Sequence, residues 1–255
     1  MIPFFLFIFG LIIGSFLNVV IYRLNSGEGV VRKRSNCPHC HHQLNWSDLI
    51  PVLSFIFLKA RCRYCQKPIS WQYPLVELFT ALIFVLGYLI IQGQPSGLSL
   101  SLLVLYIFSS FLIVIFVYDL KHYLILDRVS LSAFLAALIL NLLSGKSLIN
   151  LLAASSLAAG FFLLQFVVSK GKWIGGGDLR LGLVMGAMLG WPNILVALSL
   201  AYLSGAVIGL ALIVFKKKKL DSQIPFGTFL TAATLTTLLW GEPIFNWYLN
   251  YLGRW

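Results

Sequence analysis

The chain has 255 residues, 59% of them hydrophobic and 11% charged, with a mean hydropathy of +0.90. That balance excludes an ordinary soluble domain, which needs far more polar surface, and indicates a membrane protein. The formal charge of +11 does not indicate nucleic acid, because the basic residues cluster between apolar runs, as they do when they orient a chain in a bilayer.

Ile2–Tyr22 is the first apolar run. It lacks a basic start and a clean small-residue cleavage site, so it is expected to remain as an uncleaved membrane helix. Gly10 and Gly14 are spaced for helix packing. Asn18 follows one turn later on the same side. It either bonds a neighbouring helix or lines a site.

Residues 23–72 form the one long polar stretch and hold eight of the 19 Lys and Arg. Within it stand Cys37-Pro-His-Cys40 and Cys62-Arg-Tyr-Cys65. Two CxxC knuckles in one loop fit a tetrahedral Zn²⁺ site with four thiolates, which would fold a module too small for its own core. Paired Cys of this kind indicate metal in a reducing compartment, not disulfides. The spacing and helix of a DNA-binding zinc module are missing, and no nucleic acid partner is expected. Between the knuckles, Leu49–Leu58 is apolar but too short to cross a bilayer. It lies either on the membrane or against the metal module.

Further membrane helices are expected over Tyr73–Ile91, Leu100–Tyr118, Asp127–Leu143, Leu148–Val168, a stretch from the glycines near 175 to Trp191, Ile194–Phe215 and Pro225–Trp240. With the first run this makes an all-α polytopic membrane protein of about eight transmembrane helices and a cytoplasmic zinc-binding loop. Gly241–Trp255, rich in Trp and Tyr, is expected at the outer interface. Gly182, Gly186 and Gly190 recur every fourth residue and permit close helix contact. With the N-terminus outside, the inner segments hold 17 of the 19 Lys and Arg, and Lys146 and Arg254 remain outside.

The chain has only eight acids. Asp119 and Asp178 fall at the edges of apolar segments, and the charge count puts both on the inner side. An ionisable group in that place is a candidate functional residue. Paired carboxylates can hydrolyse an amide without metal: one takes a proton from water and the other, protonated, donates to the carbonyl or leaving amine. The alternative is that each acid caps a helix or pairs with Lys121 or Arg180, a role that suits Asp127 and Asp221 better. Gly175–Gly177 precede Asp178 and allow close backbone approach. The phosphate-loop pattern GxxxxGK[ST] is absent. Glu77, about one turn into its helix, is either an interfacial carboxylate or a ligand for a substrate.

Four stretches in this order carry a resemblance: Gly14-Ser-Phe-Leu-Asn-Val-Val-Ile-Tyr-Arg23; the two-CxxC loop followed by Pro68-Ile-Ser-Trp-Gln-Tyr-Pro-Leu-Val-Glu77; Asp119 with Asp127; and Gly175-Gly-Gly-Asp178. The chain resembles the bacterial prepilin peptidases, or type IV leader peptidases, over almost its full length. The resemblance implies that Asp119 and Asp178 are the catalytic aspartates, with Gly175-Gly-Gly-Asp178 matching the family's GxGD motif. It implies cleavage after a glycine ending a short basic leader, on the cytoplasmic side of the plasma membrane. Its substrates would be type IV prepilins or pseudopilins, including those of secretion and competence, with a hydrophobic helix still in the lipid. It further implies N-methylation of the new N-terminus with S-adenosylmethionine, and names Asn18 and Glu77 as contributors to cofactor binding. The implied division is residues 1–22 as the first membrane helix, 23–72 as the zinc loop tied to methyl transfer, and 73–255 as the peptidase. Two departures stand out: Leu126 replaces a common Pro before Asp127, and Arg180 replaces a Lys after the GxGD motif. The rivals are a peptidase without methyltransferase activity whose zinc loop is structural, a proton-coupled transporter, and a scaffold for pilus assembly.

Overall fold

The computed structural model describes residues 1–26, 34–92, 98–215 and 224–252. Glu28, Arg32, Lys33, Lys216–Lys219, Asp221 and Arg254, which figure in the acid and charge counts, lie outside the described residues. The described residues are helical apart from short loops and two isolated bridges, and form two compact units, Met1–Leu98 and Ser99–Trp255.

The first unit is built on α1 (Ile2–Ser26) and α3 (Gln72–Ile91). Their outward faces carry large apolar side chains: Phe4, Phe5, Phe9, Leu75 and Phe79 all point outward. Large apolar side chains exposed in such number fit lipid, not water. The two helices meet at glycine. A Cβ on Gly10 would come within 2.5 Å of Ala81 Cα, and one on Gly14 within 2.6 Å of Glu77 Cα. The four-residue glycine spacing is therefore a backbone contact. Pro74 sits in the first turn of α3, where its missing N–H has no intrahelical partner to lose. Between α1 and α3 lie the two knuckles, a 3₁₀ turn at Trp46–Leu49 and the short helix α2 (Leu53–Phe57).

The second unit contains α4 (Leu98–His122, from its second residue), α5 (Asp127–Leu143), α6 (Leu148–Ser169), α7 (Gly176–Leu189), α8 (Asn193–Val214) and α9 (Phe226–Leu252). Its centre is α7, which packs against α5, α6, α8 and α9 and is buried almost all round from Leu181 to Leu189. The glycine face of α7 lies on α6. A Cβ on Gly182 would be 2.7 Å from Phe162 Cδ2, and one on Gly186 would be 2.3 Å from Ser155 Cα. On another side, Asn141 Nδ2 donates to the carbonyls of Ala187 and Met188 at 2.6 and 3.0 Å. That bond satisfies the last turn of α7 inside the bundle. Gly190 ends the helix at φ +71, where a Cβ would strike Asn150 Oδ1 at 2.6 Å.

Among the described residues, five helices are long and apolar enough to cross a membrane: α1, α3, α4, α6 and α8. The chain is thus an all-α polytopic membrane protein, with five clear spans against the eight expected. Three expected spans take other forms. α5 has 17 residues, and α7 only 14, about 21 Å of helix. A helix enclosed by protein need not match the bilayer thickness. The third, α9, runs on past Trp240 instead of ending there, with a kink at that residue and Pro243 just beyond. Proline removes the hydrogen bond to the carbonyl four residues back, Leu239. The expected interfacial C-terminal piece is therefore helical as far as Leu252, and exposes Trp247, Tyr248 and Tyr251.

Candidate active site and metal centre

Asp119 and Asp178 are both buried, at 4% and 8% exposure. Each belongs to a different helix, and each lies against a helix N-terminus. Asp178 is the third residue of α7, and its Oδ2 accepts the N–H of Gly175 at 3.1 Å. A carboxylate reaching back to the residue before the helix is half of a capping box, and Gly175 has no side chain to complete the other half. Asp119, in the last turn of α4, faces the backbone N–H groups of Gly227 and Thr228 in the first turn of α9. Two helix starts, with their partial positive charge, thus address the two acids. The carboxylates are within electrostatic range of each other.

Ile125 ties the two halves together. It comes from the α4–α5 loop, where Tyr123 turns the chain at φ +54. A Cβ on Gly177 would lie 3.1 Å from Ile125 Cβ, and one on Gly227 would lie 3.0 Å from Ile125 Cδ1. The same Cβ on Gly227 would be 2.7 Å from Asp119 Oδ2. Glycine at 177 and 227 is therefore what lets one side chain bridge the two acid-bearing corners. Gly176, by contrast, faces open space. Asp119 Oδ2 is buried and has no hydrogen-bond partner among the described residues. Nearby, Tyr202 is within electrostatic range of Asp178, donates to Gln165 Oε1 at 2.9 Å, and packs edge-on against Phe226.

The sequence alternatives for these acids resolve in part. Arg180 pairs with Asp127, not with Asp178. Asp127 is the first residue of α5 and does not occupy the cap position, which Leu126 holds. Ile125, Gly227, Thr228 and Tyr202 went unnoticed in the sequence. The one signal available was Pro225-Phe-Gly-Thr228, where turn-type residues open an apolar run.

In the first unit the four cysteine sulfurs lie within 4.8 Å of one another. Cys37 Sγ and Cys65 Sγ are 3.9 Å apart. Sulfurs about 2.3 Å from a tetrahedral Zn²⁺ stand about 3.8 Å from each other, so the set fits that ion. The knuckles share one geometry. Cys37 N–H donates to His42 O and His41 N–H to Cys37 O; Cys62 N–H donates to Lys67 O and Gln66 N–H to Cys62 O. His41 and Gln66 both stand at φ +57. Bridges Asn36–Gln43 and Arg61–Pro68 close the two loops. Asp48 links them further by accepting from Arg63 Nε at 2.8 Å, the Asn45 N–H at 3.2 Å and the Tyr64 hydroxyl at 3.3 Å. Burial pushes the Cys37 thiol up, but the backbone N–H groups of Cys40 and His39 outweigh it and bring it down to about 7. At Cys65 a backbone N–H from Lys67 favours the thiolate, yet burial and the crowding sulfurs prevail and raise it to about 11.

Asn18 and Glu77 are buried in the same unit, and both have protein partners. Asn18 donates to Tyr73 O at 3.0 Å and accepts from Gln72 Nε2 at 3.1 Å. Glu77 Oε2 accepts the Val52 N–H at 2.7 Å.

A helical membrane protein with paired buried acids at two helix starts is the class that fold and site define. The bacterial peptidase A24 N-terminal domain matches residues 8–91, and the type IV leader peptidase family matches residues 106–210. The chain is 36% identical to the prepilin leader peptidase/N-methyltransferase of Aeromonas hydrophila, over 96% of this chain and 93% of that protein. It is 35% identical to the protein of that name from Bacillus subtilis (strain 168), over 96% and 97%. A third, from Legionella pneumophila, is 30% identical over 96% and 93%. No solved structure matches the chain. The chain belongs to the type IV leader peptidase family.

Proposed function

We propose that the protein is a bifunctional membrane enzyme that removes the leader from type IV prepilins or pseudopilins and methylates the new N-terminus. Its relatives across the full length are prepilin leader peptidase/N-methyltransferases, which supports both activities. The observation that carries the proteolytic half is the pairing of Asp119 and Asp178, both buried and bridged by Ile125.

The mechanism follows from that pairing. Two carboxylates sharing one site hold one proton between them more readily than none. The ionised member takes a proton from a water molecule, which attacks the scissile carbonyl. The protonated member donates to the carbonyl oxygen, and later a proton reaches the leaving amine. Asp119 Oδ2, buried with no hydrogen-bond partner among the described residues, suits the binding of that water. The Asp178–Gly175 bond fixes the other carboxylate at the start of α7. No metal takes part in this step.

Cys37, Cys40, Cys62 and Cys65 would hold Zn²⁺, which would brace the loop. The methyl donor is S-adenosylmethionine. The functional division follows residues 1–22, 23–72 and 73–255, with about eight membrane crossings once α5, α7 and α9 are counted. The N-terminus lies outside, and both the acid pair and the zinc loop face the cytoplasm. The scissile bond then sits beside the cytoplasmic end of the substrate's hydrophobic helix.

A second reading keeps the peptidase and drops the methyltransferase. It is favoured by the engagement of Asn18 and Glu77 with Tyr73, Gln72 and Val52, which gives both a bracing role. The N-terminal mass of a co-expressed prepilin after processing decides between them. A shortened and methylated product supports the bifunctional enzyme. A shortened product without the methyl group leaves the peptidase alone.

A further inference from the structure

The geometry points to Leu49–Leu58 as a lipid-embedded anchor that seats the metal module in the bilayer surface. Two contacts fix its depth. First, Asn18 bonds Gln72 and Tyr73, so α3 begins level with Asn18. The apolar span of α1 continues six residues further, to Leu24, about 9 Å along the helix. Everything just before α3 therefore lies beside the last turns of a membrane-spanning helix. Second, Val52 N–H bonds Glu77, whose Cα lies against Gly14 in the middle of α1. A residue reaching that carboxylate is drawn down to where α3 is already inside its span.

The side chains agree with the depth. Phe55 turns inward onto Trp71, with ring centroids 4.9 Å apart. Leu53, Ile56 and Phe57 turn outward, Phe57 with 80% of its surface exposed. Trp46 and Trp71 stand exposed beside them, as tryptophan does at headgroup level. Lys59, Arg61 and Lys67 are exposed just after the segment, where cations meet anionic headgroups. Val52, a β-branched residue, is held at φ +61, and the bond to Glu77 supports that strained turn. The occupant of the apolar face is therefore lipid: acyl chains over Leu53, Ile56 and Phe57, and anionic headgroups at the lysines and arginine.

The test uses the full chain in nanodiscs of phosphatidylethanolamine and phosphatidylglycerol. Phe57 is replaced by a benzophenone-bearing phenylalanine, and His39 in the first knuckle serves as the exposed control. Leu53 is a second reporter should the Phe57 variant assemble poorly. After irradiation, mass spectrometry reads the adducts. Phospholipid adducts at Phe57 or Leu53, with none at His39, are the expected result. Adducts only to protein, no lipid adducts at either reporter, or equal lipid labelling at His39 would overturn the proposal.

Discussion

One methyl group placed at Gly227 would sit 2.7 Å from Asp119 Oδ2 and 3.0 Å from Ile125. Gly227→Ala should therefore lower leader cleavage by about tenfold or more while the chain still inserts, because a 1 Å misplacement at a catalytic group is worth orders of magnitude. The three-glycine entry to α7 should divide sharply. Gly176→Ala, with nothing within 4 Å, should cleave at close to the normal rate, whereas Gly177→Ala, pressed to 3.1 Å from Ile125, should not. Initial cleavage rates of a purified prepilin measure all three. Equal losses at 176 and 177 would mean that Ile125 is not the bridge. Asp119 and Asp178 stood out in the sequence as acids at the edges of apolar runs, and both are buried. Ile125 and Gly227 were not. Nothing in a one-dimensional pattern says which apolar side chain fills the gap between two distant helix starts.

At the level of elements, the four-residue glycine repeats were the most informative signal, and Gly10, Gly14, Gly182 and Gly186 all meet a neighbouring helix. Gly186→Leu should force α6 from α7 and lower the melting temperature of the detergent-solubilised protein, since overpacking of this kind is destabilising by about 1–3 kcal/mol or more. An unchanged melting temperature would contradict the contact with Ser155. The length of α7 was less legible. Its hydrophobicity on every side reads equally well as a bilayer span or as a helix enclosed by others. The knuckles were legible as a four-cysteine cluster able to hold a metal, but their shared backbone geometry was not. With zinc on the four sulfurs as proposed, Cys62→Ser should lower the zinc content of the purified protein, read by metal analysis. Acid should weaken zinc as well. The thiols lose protons on binding, so lowering the pH through about 7, where Cys37 takes up its proton, opposes the metal, and Cys65 must give up a proton throughout the neutral range. Zinc affinity between pH 8 and pH 6 should fall on the order of a hundredfold or more. A flat profile would argue against four-thiolate coordination.

For the molecule as a whole, the charge pattern proposes an orientation that helix geometry leaves open. Alkaline phosphatase fused after Gly145 should be active outside the membrane, and fused after Lys172 it should be inactive; the reverse pattern would invert the proposed topology. That orientation matters to the proposed function, in which a basic leader meets the acid pair on the side where the substrate is made. The account depends on Asp119 and Asp178 acting together, and isosteric replacement of each carboxylate tests that most directly. In reconstituted membranes with a purified prepilin, Asp119→Asn and Asp178→Asn should each abolish leader removal while the protein keeps its zinc and its melting temperature. Normal cleavage by either variant would contradict a shared two-carboxylate centre.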